Sequence, residues 1–336
     1  MGKVVTLGEI MLRLSSDAGI RIAQSENFSV HFGGGEANVA ISLANYGHQV
    51  TFASKVPANG VGEAVKKHLN RYNVDTSDLL FGGPRLGTYY LETGIGERAA
   101  NVVYDRAGSS FAMMETIEWD SEKLFAGVDI FHISGITPAL SDSWKKQTLI
   151  LIKAAKQAGC KISFDINYRG KLWSKAEAGK TIREILPYVD YCSAGKLDAQ
   201  HFFEISSYDS ELAAKDNLYC YKKMQEKYPN VSVFYSTKRK VYSASVNALT
   251  GTLWANGNYY ESKCHQIDPI VDRVGGGDAF AGGVLHGLLN KDNYQKVIDF
   301  ATAASALKHT VHGDCNQFSQ EEVESFLALE TGKIIR

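Results

Sequence analysis

Short apolar runs alternate with longer amphipathic segments along most of this chain, and that rhythm constrains the fold more than any other feature. Residues 4–7 form an apolar run ending at Gly8-Glu9 and read as a buried strand. Gly33-Gly34-Gly35-Glu36 then opens a helical pattern over 37–47, with Gly47 as its stop. A strand over 48–56 and an amphipathic helix over 60–74 follow. From residue 128 the rhythm resumes. Strands at 128–134, 161–166, 188–193 and 231–236 are separated by helices at 142–159, about 175–186 and about 210–227. Residues 241–255 read as a hairpin, and the last third is helical over 278–290, 294–310 and 321–330. Strands alternating with helices predict a parallel sheet covered on both faces, with ligands at the carboxyl ends of its strands. Between about 82 and 106 the pattern changes to alternating aromatic segments, TYYLE and NVVYDR, separated by glycines. These segments, with residues around 11–32, read as a small β lid beside the main unit.

Composition narrows the function. The 336 residues are 44% hydrophobic and 22% charged, as in a globular protein, and carry a formal net charge of −1. Neither a nucleic acid nor a membrane surface is expected as a partner, since both favour a basic excess. The five cysteines match neither a zinc motif nor a redox pair and are expected to be reduced and mostly buried. Met1 leads directly into the first strand, and no apolar run approaches the ~20 residues of a membrane span, so a cytoplasmic location is expected.

The densest chemistry lies in Asp272-Arg273-Val274-Gly275-Gly276-Gly277-Asp278-Ala279-Phe280. Three glycines opening a helix leave backbone N–H groups free to face an anion, and the helix dipole adds positive potential there. Asp278, in the first turn, is placed to accept a proton from a hydroxyl attacking beside that anion hole. Neither a Walker A sequence nor a dinucleotide GxGxxG is present, so a nucleotide must be held in another way.

DRVGGGDAF resembles the C-terminal signature of the ribokinase-like (PfkB) carbohydrate kinases, and Gly34 to Ala40 resembles their N-terminal signature. The two lie about 240 residues apart, as the family's do, and the resemblance spans essentially the whole chain. It implies one domain over 1–336: a three-layer ribokinase-like α/β core with a parallel-rich central sheet, and a small β-sheet lid. It also implies ATP with Mg2+ as donor, Asp278 as base, and Gly275, Gly276 and Gly277 as anion hole. Arg273 and Gly276 stand where the family usually has Thr and Ala.

Within the family, Gly34-Gly35-Glu36-Ala37-Asn38 most resembles the kinases of 2-keto-3-deoxygluconate. On that likeness Gly34, Gly35, Glu36, Asn38, Tyr89, Tyr104, Arg106, Arg169 and Asp314 are expected to bind the sugar acid. Arg106 or Arg169 would pair with its carboxylate, while Asn38 and Asp314 would meet its hydroxyls. Asn167 is expected at the junction of nucleotide and sugar. The family's N-x-x-E motif is replaced here by Gly195-Lys196-Leu197-Asp198, and its glycine-bearing nucleotide turn by Ser236-Thr237-Lys238-Arg239. Asp198, Ser236, Thr237 and Arg239 are therefore the nucleotide candidates, with Gly275 and Gly277. No metal ligand set is legible. A fructokinase or other ketose kinase is the alternative within the fold. A catalytically silent sugar-binding protein and a nucleoside kinase fit less well, because Asp278 is present and the Glu36, Asn38 and arginine pattern points to an acid. Exposed edges on a small sheet favour pairing, so a homo-oligomer is expected.

Overall fold

A computed structural model describes residues 1–205 and 217–328. In chain order its strands are β1 (Lys3–Leu7), β2 (Met11–Ser15), β3 (Ser29–Gly33), β4 (Gln49–Val56), β5 (Leu79–Phe81), β6 (Thr88–Glu92) and β7 (Asn101–Asp105). They continue as β8 (Ile130–Ser134), β9 (Lys161–Asp165), β10 (Tyr191–Ser193), β11 (Val233–Val241), β12 (Asn247–Ala255), β13 (Asn258–Glu261) and β14 (His265–Ile267). The helices are α1 (Gly35–Asn45), α2 (Gly60–Arg71), α3 (Ser121–Leu124), α4 (Asp142–Gln157) and α5 (Lys175–Ile185). After them come α6 (Lys196–Phe202), α7 (Asn217–Lys227), α8 (Gly276–Leu289), α9 (Tyr294–Lys308) and α10 (Gln320–Ala328).

The central sheet runs β13-β12-β11-β10-β9-β8-β1-β4-β5, with β14 paired to β12. From β11 to β5 every pairing is parallel, and antiparallel strands are added only at the β12 side. Alternation along each buried strand sends side chains into two cores. Val5, Leu7, Phe131, Ile133 and Phe164 pack against α4 to α7 on one face. Val4, Ile130, Val233 and Tyr235 pack against α1, α2, α8 and α9 on the other. This is the three-layer α/β core that the strand–helix rhythm predicts.

The second sheet, ordered β3-β2-β6-β7, comes from the two alternating regions picked out above. Its Met11, Tyr89 and Leu91 face Val274, so one side of it rests on the glycine-rich segment. Its outer strands β3 and β7 leave Val30 and Val103 exposed.

Two local readings need correction, and one lies partly outside the described residues. β11 does not end at Ser236. It continues through Val241 in register with β12, so Ser236 to Arg239 form a strand and not a turn. That stretch holds none of the Gly, Pro, Asn or Asp that would break a strand, and Ser236 pairs with the β-branched Thr252. The hairpin turn lies instead between β11 and β12. Asp198 stands on a short helix, α6, that its sequence did not announce. Of the helix expected at about 210–227, residues 217–227 are α7 and the remainder lies outside the described residues, as do 329 and 330 of the last helix.

Candidate active site

β1, β8 and β9 end together, and their carboxyl ends open on a cleft of about 440 Å3 closed on one side by the small sheet. α8 starts at the floor of this cleft. Its N-cap, Gly275, has φ 80°, and a Cβ there would collide with the backbone carbonyl of Asp314, so only glycine turns the chain at this point. Gly277 differs, because no atom lies within 4 Å of where its Cβ would stand. The amides of this first turn have no acceptor inside the helix and lie along the cleft.

Asp278 follows, and its Oδ2 accepts a hydrogen bond from Asn38 Nδ2 at 2.7 Å. Asn38 belongs to the first turn of α1, so two glycine-opened helices meet at this carboxylate. Burial pushes the Asp278 carboxyl up to about 6; Asp165 and Asp314 add to the rise, while Asn38 and Arg169 oppose it. Such a group is ionised above neutrality yet more basic than an exposed aspartate, as a general base requires. Burial also raises Asp165, at the end of β9, to about 6, with Asp198 adding to it. Asp198 rises likewise through burial, while the Gly195 amide, 2.8 Å from its Oδ2, opposes.

Gly34, Gly35, Asn38, Tyr89, Tyr104, Arg106, Asn167, Arg169, Asp314 and the three glycines before Asp278 all line the cleft. Several have their hydrogen bonds already committed. The buried Tyr89 hydroxyl donates to Asp314 Oδ2, and Tyr104, 41% exposed, sits beside Tyr89 with ring centroids 5.8 Å apart. Arg106 is paired with the buried Glu9, which also accepts from Ser109. Its charge is matched within the fold, because Glu9 cannot remain buried without a cation. Arg169, by contrast, is exposed at the cleft and has no carboxylate partner among the described residues. Of the two arginines expected to serve a substrate carboxylate, Arg169 is the one without a carboxylate partner among the described residues.

Glu36 does not line the cleft. It is 2% exposed and accepts from the Ser134 amide at 2.9 Å and Thr137 Oγ1 at 3.5 Å, pinning α1 to the end of β8. Asp198, Ser236, Thr237 and Arg239 do not line the cleft either. The Ser236 hydroxyl is engaged by Tyr221 and Thr252, at 2.7 and 3.2 Å, so it is not the open phosphate ligand expected of it. Arg239 Nη1 lies 3.1 Å from His309 Nε2. His309 Nδ1 is 2.6 Å from the Ser305 carbonyl and must donate to it, which leaves Nε2 to accept from Arg239. Burial, reinforced by Arg273, lowers the Arg239 guanidinium to about 10, and no carboxylate among the described residues pairs with it. A half-buried cation in that condition suits an anion.

Residues that the sequence did not single out complete the site. Arg13, on β2, is 2% exposed and bridges Asp272 and Asp314. Arg273 adds a second exposed cation to the cleft. Alternation in MLRLS does place Arg13 on the face of Met11 and Ser15, but nothing local names its partners. Of the five cysteines, Cys160, Cys192, Cys220 and Cys315 are buried and Cys264 is exposed. No helix among the described residues is long and apolar enough to cross a membrane.

Comparison with known proteins agrees with this geometry. The profile of the pfkB family carbohydrate kinases matches residues 1–321. The chain is 30% identical over 325 residues to a 2-dehydro-3-deoxygalactonokinase of Haloferax volcanii, covering 97% of this chain and 96% of the relative. A crystal structure of a PfkB family carbohydrate kinase from Listeria grayi superposes with a TM-score of 0.93 at 47% identity, covering 97% and 99% of the two chains. The crystal structure of 2-dehydro-3-deoxygluconokinase from Thermotoga maritima gives a TM-score of 0.93 at 40% identity, covering 98% and 100%. With both signature segments meeting at Asp278 and the family profile spanning nearly every described element, the chain belongs to the PfkB family of carbohydrate kinases.

Proposed function

We propose that this sugar kinase phosphorylates 2-keto-3-deoxy-D-gluconate on its 6-hydroxyl, with Asp278 as the base. The observation that carries the reading is the Asp278 carboxylate, held by Asn38 at 2.7 Å at the mouth of a glycine-opened helix and facing the same cleft as the unpaired Arg169. Asp278 takes the hydroxyl proton as the oxygen attacks the γ-phosphorus of ATP. The amides of Gly275, Gly276 and Gly277 hold the charge that develops on the phosphoryl oxygens. Arg169 pairs with the sugar-acid carboxylate, and Asp314 accepts from sugar hydroxyls. Arg239 and Arg273 meet the phosphates from the side away from the sugar.

Magnesium bound with ATP would neutralise phosphate charge. Among the described residues no cluster of three or more His, Cys, Asp or Glu forms a metal site, so the ion fits best as one carried by the nucleotide. Asp198 and Asp165 would hold it: both are carboxylates lifted by burial, a condition a cation relieves. The small sheet, β3-β2-β6-β7, serves as a lid that excludes water during transfer.

The Haloferax relative supports a second reading, in which the C4 epimer, 2-keto-3-deoxygalactonate, is the preferred acid. Coupled ADP release with MgATP tests both. The expected result is turnover of one or both sugar acids with kcat/KM at least tenfold above fructose, ribose and adenosine. Equal or better use of fructose overturns the acid reading and installs the ketose kinase in its place.

A further inference from the structure

The small sheet and the glycine loop are tied together by one buried cation. Arg13 Nη1 is 2.7 Å from Asp314 Oδ1, Nη2 is 2.6 Å from Asp272 Oδ2, and Nε donates to Ser15 Oγ at 2.6 Å. These contacts lie in a region from which water is excluded: the side chains of Arg13, Asp272 and Asp314 are 3%, 5% and 3% exposed. Each carboxylate, in turn, orders backbone. Asp272 accepts from the Val274 amide at 3.0 Å and the Gly313 amide at 3.0 Å. Asp314 takes the Tyr89 hydroxyl, and its own carbonyl is the atom that leaves no room for a Cβ at Gly275. Lys308, fully buried, donates to the Asp272 carbonyl at 3.2 Å and balances the second carboxylate.

We propose that Arg13 is a positioning residue for phosphoryl transfer, one bidentate clamp that sets the substrate-facing carboxylate of Asp314 and the backbone entering the anion hole relative to each other. Arg13 touches neither reacting group. Its two carboxylates belong to the two segments, 272–275 and 313–314, whose backbones meet at Gly275. A shift in either segment therefore moves both the hydroxyl acceptor and the phosphate cradle. Charge alone does not supply this, because the planar guanidinium spans two carboxylates at fixed separation and an ammonium cannot. The inference rests on Asp278 and the glycines being the reaction centre, as proposed above.

Arg13→Lys separates the clamp from the charge. Kinetics of full-length Arg13→Lys, Arg13→Met, Arg13→Ala and Asp278→Asn should be measured with MgATP and the best acid of the panel, beside thermal unfolding of each. Arg13→Lys is expected to unfold near the wild-type temperature while kcat falls at least ~10-fold, since ångström-scale misplacement of reacting groups costs up to ~10²-fold. KM for both substrates should move less than about threefold, as an alignment defect requires. Guanidinium chloride at millimolar concentration should restore part of kcat to Arg13→Ala and none to Asp278→Asn. A wild-type kcat in Arg13→Lys overturns the proposal and leaves Arg13 a charge-balancing role. A raised sugar KM with unchanged kcat also overturns it. Should Arg13→Met fail to fold, Arg13→Lys still decides. Full activity in Asp278→Asn would bring down the reaction-centre reading itself, whatever the Arg13 variants do.

Discussion

Two regions around the cleft are built on opposite electrostatic plans. Under the small sheet the charges inside the wall are matched within the fold: Arg13 with Asp272 and Asp314, Arg106 with Glu9. Elsewhere Arg239 leans on a neutral imidazole, Arg273 is exposed, and burial raises the Asp165 and Asp198 carboxyls to about 6. A wall of matched charges can hold hydroxyl acceptors rigidly without attracting every ion. Unmatched groups of both signs suit a ligand that brings its own phosphates and metal. Charges paired within the fold give shape, and charges left unpaired are the ones a ligand can use.

The contrast is broken most severely at the point where the two regions join. Asp278→Asn keeps the shape of the side chain and removes the base, so kcat should fall at least ~10²-fold while sugar binding by calorimetry survives. Near-normal turnover would remove Asp278 from the chemistry.

The glycines separate anion binding from folding. Gly277→Val places its side chain in open cleft, and should lower kcat by something on the order of 10²-fold with little change in unfolding temperature. Gly275→Ala collides with the Asp314 carbonyl in a left-handed conformation and should lose stability as well as turnover. If Gly277→Val turns over normally, the phosphate does not lie there.

The two arginines sharpen the comparison directly. Arg169 is a rim cation, so Arg169→Ala should reduce kcat/KM for the sugar acid by roughly tenfold, or ~1.4 kcal/mol, and spare fructose. Arg106→Ala strands the buried Glu9 and should lower the unfolding temperature while hurting both substrates in similar proportion. Acid-selective loss in Arg106→Ala alone would reverse the assignment. On the other side, Arg239→Met should raise the KM for ATP about three- to tenfold and leave that of the sugar alone, through the loss of one charge-assisted contact.

The mildest perturbation is pH. With the Asp278 carboxyl raised to about 6, the base is lost as pH falls through that value, so kcat/KM should drop about tenfold per unit below it. The stability sign is the opposite. A raised carboxyl means the native state holds its proton more tightly than the unfolded chain, so stability falls as pH rises from about 4 to about 6. Asp278→Asn should therefore melt above wild type at pH 7.5, by roughly 2 °C, and lose that advantage near pH 4. A variant less stable than wild type at pH 7.5 would show that Asp278 is structurally favourable as a carboxylate.

Hydrogen bonding within one or two turns of chain was legible from the sequence, and long-range commitments were not. The glycine run before Asp278 predicts a helix start, and α8 begins at Gly276 with Gly275 as its cap. The βα rhythm predicts the layers, because a buried strand and its covering helix are each coded by local periodicity. Ser236 to Arg239 were misread as a turn because their continuation as strand depends on β12, whose pairing with them is itself non-local. Glu36 looked like a ligand beside Asn38. One turn of helix carries the two side chains to different places, Asn38 to Asp278 and Glu36 to the buried end of β8.

Local sequence was enough for a glycine-opened helix, an aspartate in its first turn, and strands alternating with helices over most of the chain. Which charges are free emerged only from folding. Arg13 finds Asp272 and Asp314 across 259 and 301 residues, Arg106 finds Glu9 across 97, and Arg169 finds no carboxylate among the described residues. The reason is physical. A side chain's charge is written in its residue type, but whether that charge remains available depends on desolvation and on partners brought together by folding.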